Sequence, residues 1–161
     1  MKTILMAIAI ISTGLMAGIF LTWTNAVTPG IGKLNDMIYL KALQSMNRAI
    51  LNPLFYVVFM LPIISMLIST AINYGSNKVC NFKLLLMATV IYTGGVFIVT
   101  IFGNIPLNEL LNQTDLGSKS VVELSTLREK IEIKWNQFNL IRTITSFTSF
   151  ALLVLNLLLR K

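Results

Sequence analysis

The sequence predicts an all-α integral membrane protein: four membrane-spanning helices in an up-down bundle, with an interfacial helix in the first long connection and a helical extension before the fourth span. Three observations carry this. Of 161 residues, 55% are hydrophobic and 12% charged, where a soluble domain carries about 25% charged residues. Mean hydropathy is +0.78. Four apolar runs, Ile4–Trp23, Pro53–Ile72, Leu84–Ile105 and Leu140–Leu159, each reach the roughly 17 to 25 residues that cross a bilayer as a helix.

The first run comes after "MK" and is trailed by "TNA" (Thr24–Ala26), an arrangement loosely like a signal peptide. It approaches twenty residues, where the apolar region of a signal has about 7 to 15, so a retained span is expected. In the connection between spans one and two, "KLNDMIYLKALQSMNRAILN" puts Tyr39, Leu43, Met46 and Ile50 at helical spacing, the pattern of an amphipathic helix at the interface. The second span opens with Asn52 as N-cap and Pro53 at the first helical position, and carries Pro62 in its interior, where a kink is expected. A turn, "NYGSNKVCNFK" (residues 73–83), leads into the third span. The fourth is preceded by "SVVE" (Ser120–Glu123), a capping box. From there Leu124, Leu127, Ile131, Trp135, Phe138 and Arg142 recur at steps of three and four, so one helix should run unbroken into the membrane. No internal repeat, low-complexity tract or second domain is visible: residues 1–161 read as a single domain.

Composition removes several chemistries. There is no histidine and Cys80 is the only cysteine, which leaves no disulfide framework, no CxxC pair and no ordinary zinc, copper or haem site. No metal and no cofactor are expected. The net charge of +7 suits membrane lipid rather than nucleic acid, for which no motif is present. Lys2, Lys78, Lys83, Arg160 and Lys161 share one side with no acid, a charge of +5. The other side holds eight basic and all six acidic residues, a charge of +2. With long loops discounted, the cell membrane is the expected location, with both termini cytoplasmic.

In an up-down bundle the ends of spans one and three and the starts of spans two and four meet at one face. The unusual polar residues fall there: Thr22, Trp23, Thr24 and Asn25; Asn47, Arg48 and Asn52; Asn104 and Asn108, four apart around Pro106; and Trp135, Asn139 and Arg142 on one face of the fourth helix. The plain readings are interface anchoring for the tryptophans, close helix approach for "GLMAG" (Gly14–Gly18) and for Gly94, Gly95 and Gly103, and solvation or headgroup contact for Lys33, Lys41 and the charges of residues 128–134. Asn156 reads as interhelical glue, and Cys80 as incidental. Arg142 is harder to place so: a guanidinium inside a span needs acceptors for five donors. The cluster therefore reads as a polar pocket, with Pro106 ending or bending its helix and freeing carbonyls beside the two amides.

"GLMAGIFLTW…PG", "MNRAILNPLF", "FGNIPLNELL" and "WNQFNLIRT", in that order, resemble the anthrone oxygenase family of small four-span membrane proteins. The resemblance implies a cofactor-independent oxidoreductase acting on a hydrophobic cyclic or quinone-like small molecule. The named activity belongs to fungal members that act on polyketide anthrones. On that resemblance Arg142, Asn104, Asn108 and Asn139 would hold an oxyanion, and Asn47, Asn52, Trp23 and Trp135 would line the substrate, with Trp135 stacked on a flat ring. Glu109 is the nearest carboxylate in sequence, but helical spacing turns it away from Asn104. The alternative is a non-catalytic bundle that binds lipid or a membrane protein partner.

Overall fold

The computed structural model describes residues 2–75 and 79–159. Lys78, Arg160 and Lys161, three of the five cations on the acid-free side, lie outside them. Five helices succeed one another: α1 (Lys2–Ile31), α2 (Asp36–Ile50), α3 (Pro53–Asn73), α4 (Val79–Gln113) and α5 (Val121–Leu158). Four of them, all but α2, are long and apolar enough to cross a membrane. They pack as a square, α1 on α3 and α5, and α4 on α3 and α5.

The helix starts are set locally. Asn35 and Asn52 accept from the amides of Ile38 and Phe55 at 2.9 and 3.0 Å, capping α2 and α3. Ser120 and Glu123 form both halves of the capping box of α5. That helix then runs unbroken for 38 residues, as its periodicity predicts. α3 continues through Pro62, and α4 continues through Pro106 rather than ending there.

Helix length decides the shape. At 1.5 Å per residue α3 is about 32 Å long, close to the roughly 30 Å of a hydrocarbon core. α1, α4 and α5 are about 45, 52 and 57 Å long, and chain direction brings the end of α1, the end of α4 and the start of α5 to one face. There they overhang and α2 packs against them.

Two apolar clusters result. One, at span level, gathers Met6, Met16, Phe20, Phe59, Met66, Leu85, Tyr92 and Leu153. The other, in the overhang, gathers Tyr39, Leu40 and Leu43 of α2 with Leu111, Leu116, Leu124, Ile131 and Trp135. The buried stripe of α2 is thus Tyr39, Leu40, Leu43 and Asn47, with Met46 and Ile50 at its margin. Within the spans α5 turns Thr143, Ser146, Ser149 and Asn156 inward and Ile141, Ile144, Phe147 and Leu155 outward, the arrangement expected when lipid is the solvent. Two of its inward groups bond α4: Ser149 donates to the Ala88 carbonyl at 3.1 Å, and Asn156 Nδ2 to the Asn81 carbonyl.

Two glycines on α4 allow α5 to come close. A Cβ on Gly95 would lie 2.3 Å from Thr145, and one on Gly103 would lie 2.9 Å from the Phe138 ring. Gly14 meets Phe150 in the same way at 3.0 Å, whereas Gly18 and Gly94 face open space.

Candidate functional site

The predicted polar corner lies between the two apolar clusters, in an outer and an inner layer. In the outer layer Asn108 is the hub: its Oδ1 accepts from Asn47 Nδ2 at 3.0 Å and from Trp135 Nε1 at 2.9 Å. The Trp135 ring packs against Trp23 with centroids 5.0 Å apart. Three helices of the overhang are joined to α2 here, with Trp135 buried and Trp23 half-buried.

The inner layer centres on Arg142, 7% exposed. Its Nη2 donates to Asn139 Oδ1 at 2.8 Å and its Nη1 lies 3.5 Å from Thr100 Oγ1. The guanidinium carbon is 4.6 Å from the Phe20 ring centroid and 5.5 Å from that of Trp135, so aromatic faces supply part of its solvation. Asn139 in turn donates from Nδ2 to the Phe20 carbonyl at 3.1 Å and to Thr24 Oγ1 at 2.7 Å. Thr143 donates to the Asn139 carbonyl, and its hydroxyl meets that of Thr24 at 2.9 Å.

Two buried polar groups at this end of the bundle stay open. Asn104, 2% exposed, has no partner for either amide atom, and Nε of Arg142 has none. Among the described residues the ion pairs join Lys119 to Glu123, and Arg128 to Asp36 and Glu132. None of these carboxylates pairs with Arg142. Moving a charge out of water costs several kcal/mol even after relaxation, so an unpaired buried guanidinium is an expensive feature.

The backbone is adjusted at the same level. Wider i→i+5 turns occupy Trp23–Val27 in α1 and Thr93–Ile98 and Thr100–Asn104 in α4. Each such turn adds a residue and rotates the rest of the helix about its axis. The last one prepares for Pro106, whose missing N–H would otherwise break the ladder. It also separates the fates of Asn104, buried and unpartnered, and Asn108, the hub above it.

Other predicted residues fall elsewhere. Asn52 is exposed; it caps α3 and donates to the Ala49 carbonyl at 3.0 Å. Asn25 and Thr22 are exposed. Arg48 bonds Asn112 on an exposed surface. Glu109 is exposed and accepts from Gln113. Lys33 and Lys41 are exposed as expected, but Arg128 departs from the expectation of a solvated charge. It donates to the carbonyls of Gly32 and Leu34, to Asp36 and to Glu132, and lies 4.5 Å over the Tyr39 ring. The chain between α1 and α2 needs those carbonyls satisfied, and a planar fork with five donors can serve them together.

Sequence reasoning missed Phe20, Thr100, Thr143 and Glu132. Threonine spaced four from Asn104 and from Asn139 was the available signal for two of them. Between the end of α1 and α5 a cleft of about 420 Å³ is lined by Thr24, Thr28, Glu132, Asn136, Asn139 and Leu140, among others. It reaches the inner layer at Asn139 and Thr24.

The fold and site define a class: a four-span helical membrane protein whose overhanging helices and α2 close a buried cationic and amide cluster at one face. A family sequence profile described as anthrone oxygenase matches residues 52–152, well over half of the chain, and the protein belongs to that family. No curated protein and no solved structure matches it.

Proposed function

We propose that the protein is a membrane oxygenase that needs no cofactor and acts on a flat, hydrophobic cyclic ketone of the anthrone type. The observation that carries this reading is the buried guanidinium of Arg142, which pairs with no carboxylate among the described residues. A site that holds positive charge without its own counter-ion is prepared for an anion that forms there.

An anthrone is a weak carbon acid, and the enolate formed on its deprotonation reacts with dioxygen directly. The chain must therefore accept a proton and stabilise an oxyanion. Asn139 is placed for the second task. Arg142 draws on its Oδ1, which strengthens its Nδ2 as a donor; one Nδ2 hydrogen is held by the Phe20 carbonyl, and a substrate oxyanion takes the other in place of the Thr24 hydroxyl, which lines the cleft. In a low-dielectric interior the Arg142 charge acts on the oxyanion even without contact. Trp23, half-buried against Trp135, offers aromatic surface to a planar ring. The same reading places the protein in the cell membrane with both termini inside, on the +5 against +2 division of charge between the two sides.

The test is oxygen uptake by proteoliposomes supplied with anthrone. Uptake above that of protein-free liposomes is expected for the wild type, and Arg142→Lys, which keeps a charge but loses the planar fork, should lose most of it. Wild-type uptake no faster than the spontaneous reaction would overturn the proposal and leave a non-catalytic, lipid-binding bundle as the reading.

A further inference from the structure

The oxygenase reaction needs a base, and the sequence offers six carboxylates. Glu109 borders a cavity with Asn47 and Asn108, but its volume is about 40 Å³, room for a water rather than a ring system. Asp36 is engaged by Arg128 on the α2 side, and Glu123 belongs to the capping box. Asp115 caps the short turn at Leu116–Ser118, and Glu129 is exposed.

Glu132 is placed differently. It borders the cleft of about 420 Å³ that also reaches Asn139, a volume within the roughly 300 to 1,000 Å³ of small-molecule sites. Its Oε2 accepts from Arg128 Nε at 2.7 Å. Its Oε1 faces Gly32, where an added Cβ would lie 3.2 Å away. Glu132, Asn136 and Asn139 share one face of α5 at steps of four and three, and Asn136 Oδ1 is buried without a partner. The cleft wall thus carries a carboxylate with one oxygen held by Arg128 and the other accepting from no neighbour among the described residues, which fits a ligand with acidic or hydroxyl hydrogens. Glu132 and Asn139 stand seven residues apart, about 10 Å along the axis, so one ketone with three fused rings can set its carbonyl near Asn139 and its acidic carbon near the carboxylate.

We propose that this cleft seats the ring substrate and that Glu132 is its catalytic base. This rests on the anthrone-type reading of the protein. Glu132 takes a proton from the ring CH₂, leaving the enolate on Asn139. The enolate carbon bonds to dioxygen, which accepts two electrons, and the proton on Glu132 passes to the peroxide. Glu132 then removes the second hydrogen from the same carbon as the O–O bond breaks. Hydroxide leaves with that proton as water and the carbon becomes a carbonyl. Substrate and O₂ give quinone and water, and the carboxylate is restored.

The experiment separates binding from turnover. Trp23 and Trp135 are the only tryptophans and both flank the cluster, so quenching of their fluorescence by anthrone reports binding in proteoliposomes, and oxygen uptake reports turnover. Glu132→Gln should bind within about threefold of wild type and turn over at least 100-fold more slowly. Asn136→Leu, which fills the cleft, should lose the quenching. Asp36→Asn removes the other carboxylate of Arg128 without touching the cleft, and should keep both. Equal loss of turnover in Glu132→Gln and Asp36→Asn would make Glu132 a structural partner of Arg128 and overturn its role as base. Unchanged quenching in Asn136→Leu would overturn the cleft as the seat. A wild type that is quenched but takes up no oxygen would end the oxygenase reading, and the base with it, while the seat stands on the Asn136→Leu result.

Discussion

At the scale of single residues, the polar corner contains amides under opposite obligations. Asn108 holds two donors, so Asn108→Ala leaves Trp135 Nε1 and Asn47 Nδ2 without their acceptor, and about 1 to 3 kcal/mol of stability should go. Asn104 satisfies nothing; Asn104→Ala should change stability by no more than about 1 to 2 kcal/mol, and in the stabilising direction if the empty amide is a cost. Thermal unfolding of the two variants in the same detergent checks the contrast, and equal losses would mean that Asn104 is structural glue. Tyr39 supplies a pH test outside the spans. Burial pushes its phenol well above the usual tyrosine range, the Glu132 charge adds to this and Arg128 opposes it. The neutral phenol is therefore favoured by folding. Its contribution is complete below the unfolded pKa of about 10 and declines as pH rises beyond it. Because the Tyr39 hydroxyl has no partner, Tyr39→Phe should match or exceed wild-type stability at pH 8 and lose less between pH 10 and 11, as measured by thermal melts across that range.

At the scale of the helix, α4 carries the largest adjustments. Two wide turns, two close-approach glycines and a proline fall within residues 93–106. Gly95 and Gly103 hold α4 to α5 on either side of the level where Thr100 meets Arg142. Gly95→Ala drives a methyl into Thr145, against the α5 helix, and should destabilise by about 1 to 3 kcal/mol. Gly94→Ala, with open space around its Cβ position, should stabilise slightly through helix propensity. Paired denaturation measurements check both, and similar behaviour of the two variants would remove the close-packing account of α4. The glycines were visible in the sequence as small residues suited to helix contact. Which of them touch was not, because an added residue per wide turn shifts the face that each presents.

At the scale of the molecule, helix length organises the fold. Only α3 fits the hydrocarbon, and the overhang of the other three makes a second core outside it, on which α2 docks. With Cys80→Ser as background, cysteines at positions 33 and 118 should react with an impermeant reagent from one side of intact cells, and cysteines at 2 and 83 from the other. Reaction of 33 and 118 from opposite sides would contradict four crossings. The orientation itself is read from which pair reacts outside, expected to be 33 and 118. Purified Cys80→Ser should also fold, accumulate and carry no stoichiometric transition metal by elemental analysis, since histidine is absent and no thiol remains.

Sequence alone determined the four spans, the caps at Asn52 and Ser120, the unbroken α5 and the gathering of Asn47, Asn108, Trp135, Asn139 and Arg142 at one face. These come from hydropathy, local hydrogen-bonding chemistry and the alternation of chain direction, all of which act along the chain. Tertiary structure decided the rest. It made Asn52 a cap and nothing more, set Asn108 as a hub and left Asn104 empty, turned Arg128 into the tie between α1, α2 and α5, and brought Glu132 to the cleft that reaches Asn139. The physical reason is that a polar side chain is defined by its partners. Partners across helices depend on rotations set by wide turns and glycine contacts, which the spacing of residues along one chain does not encode.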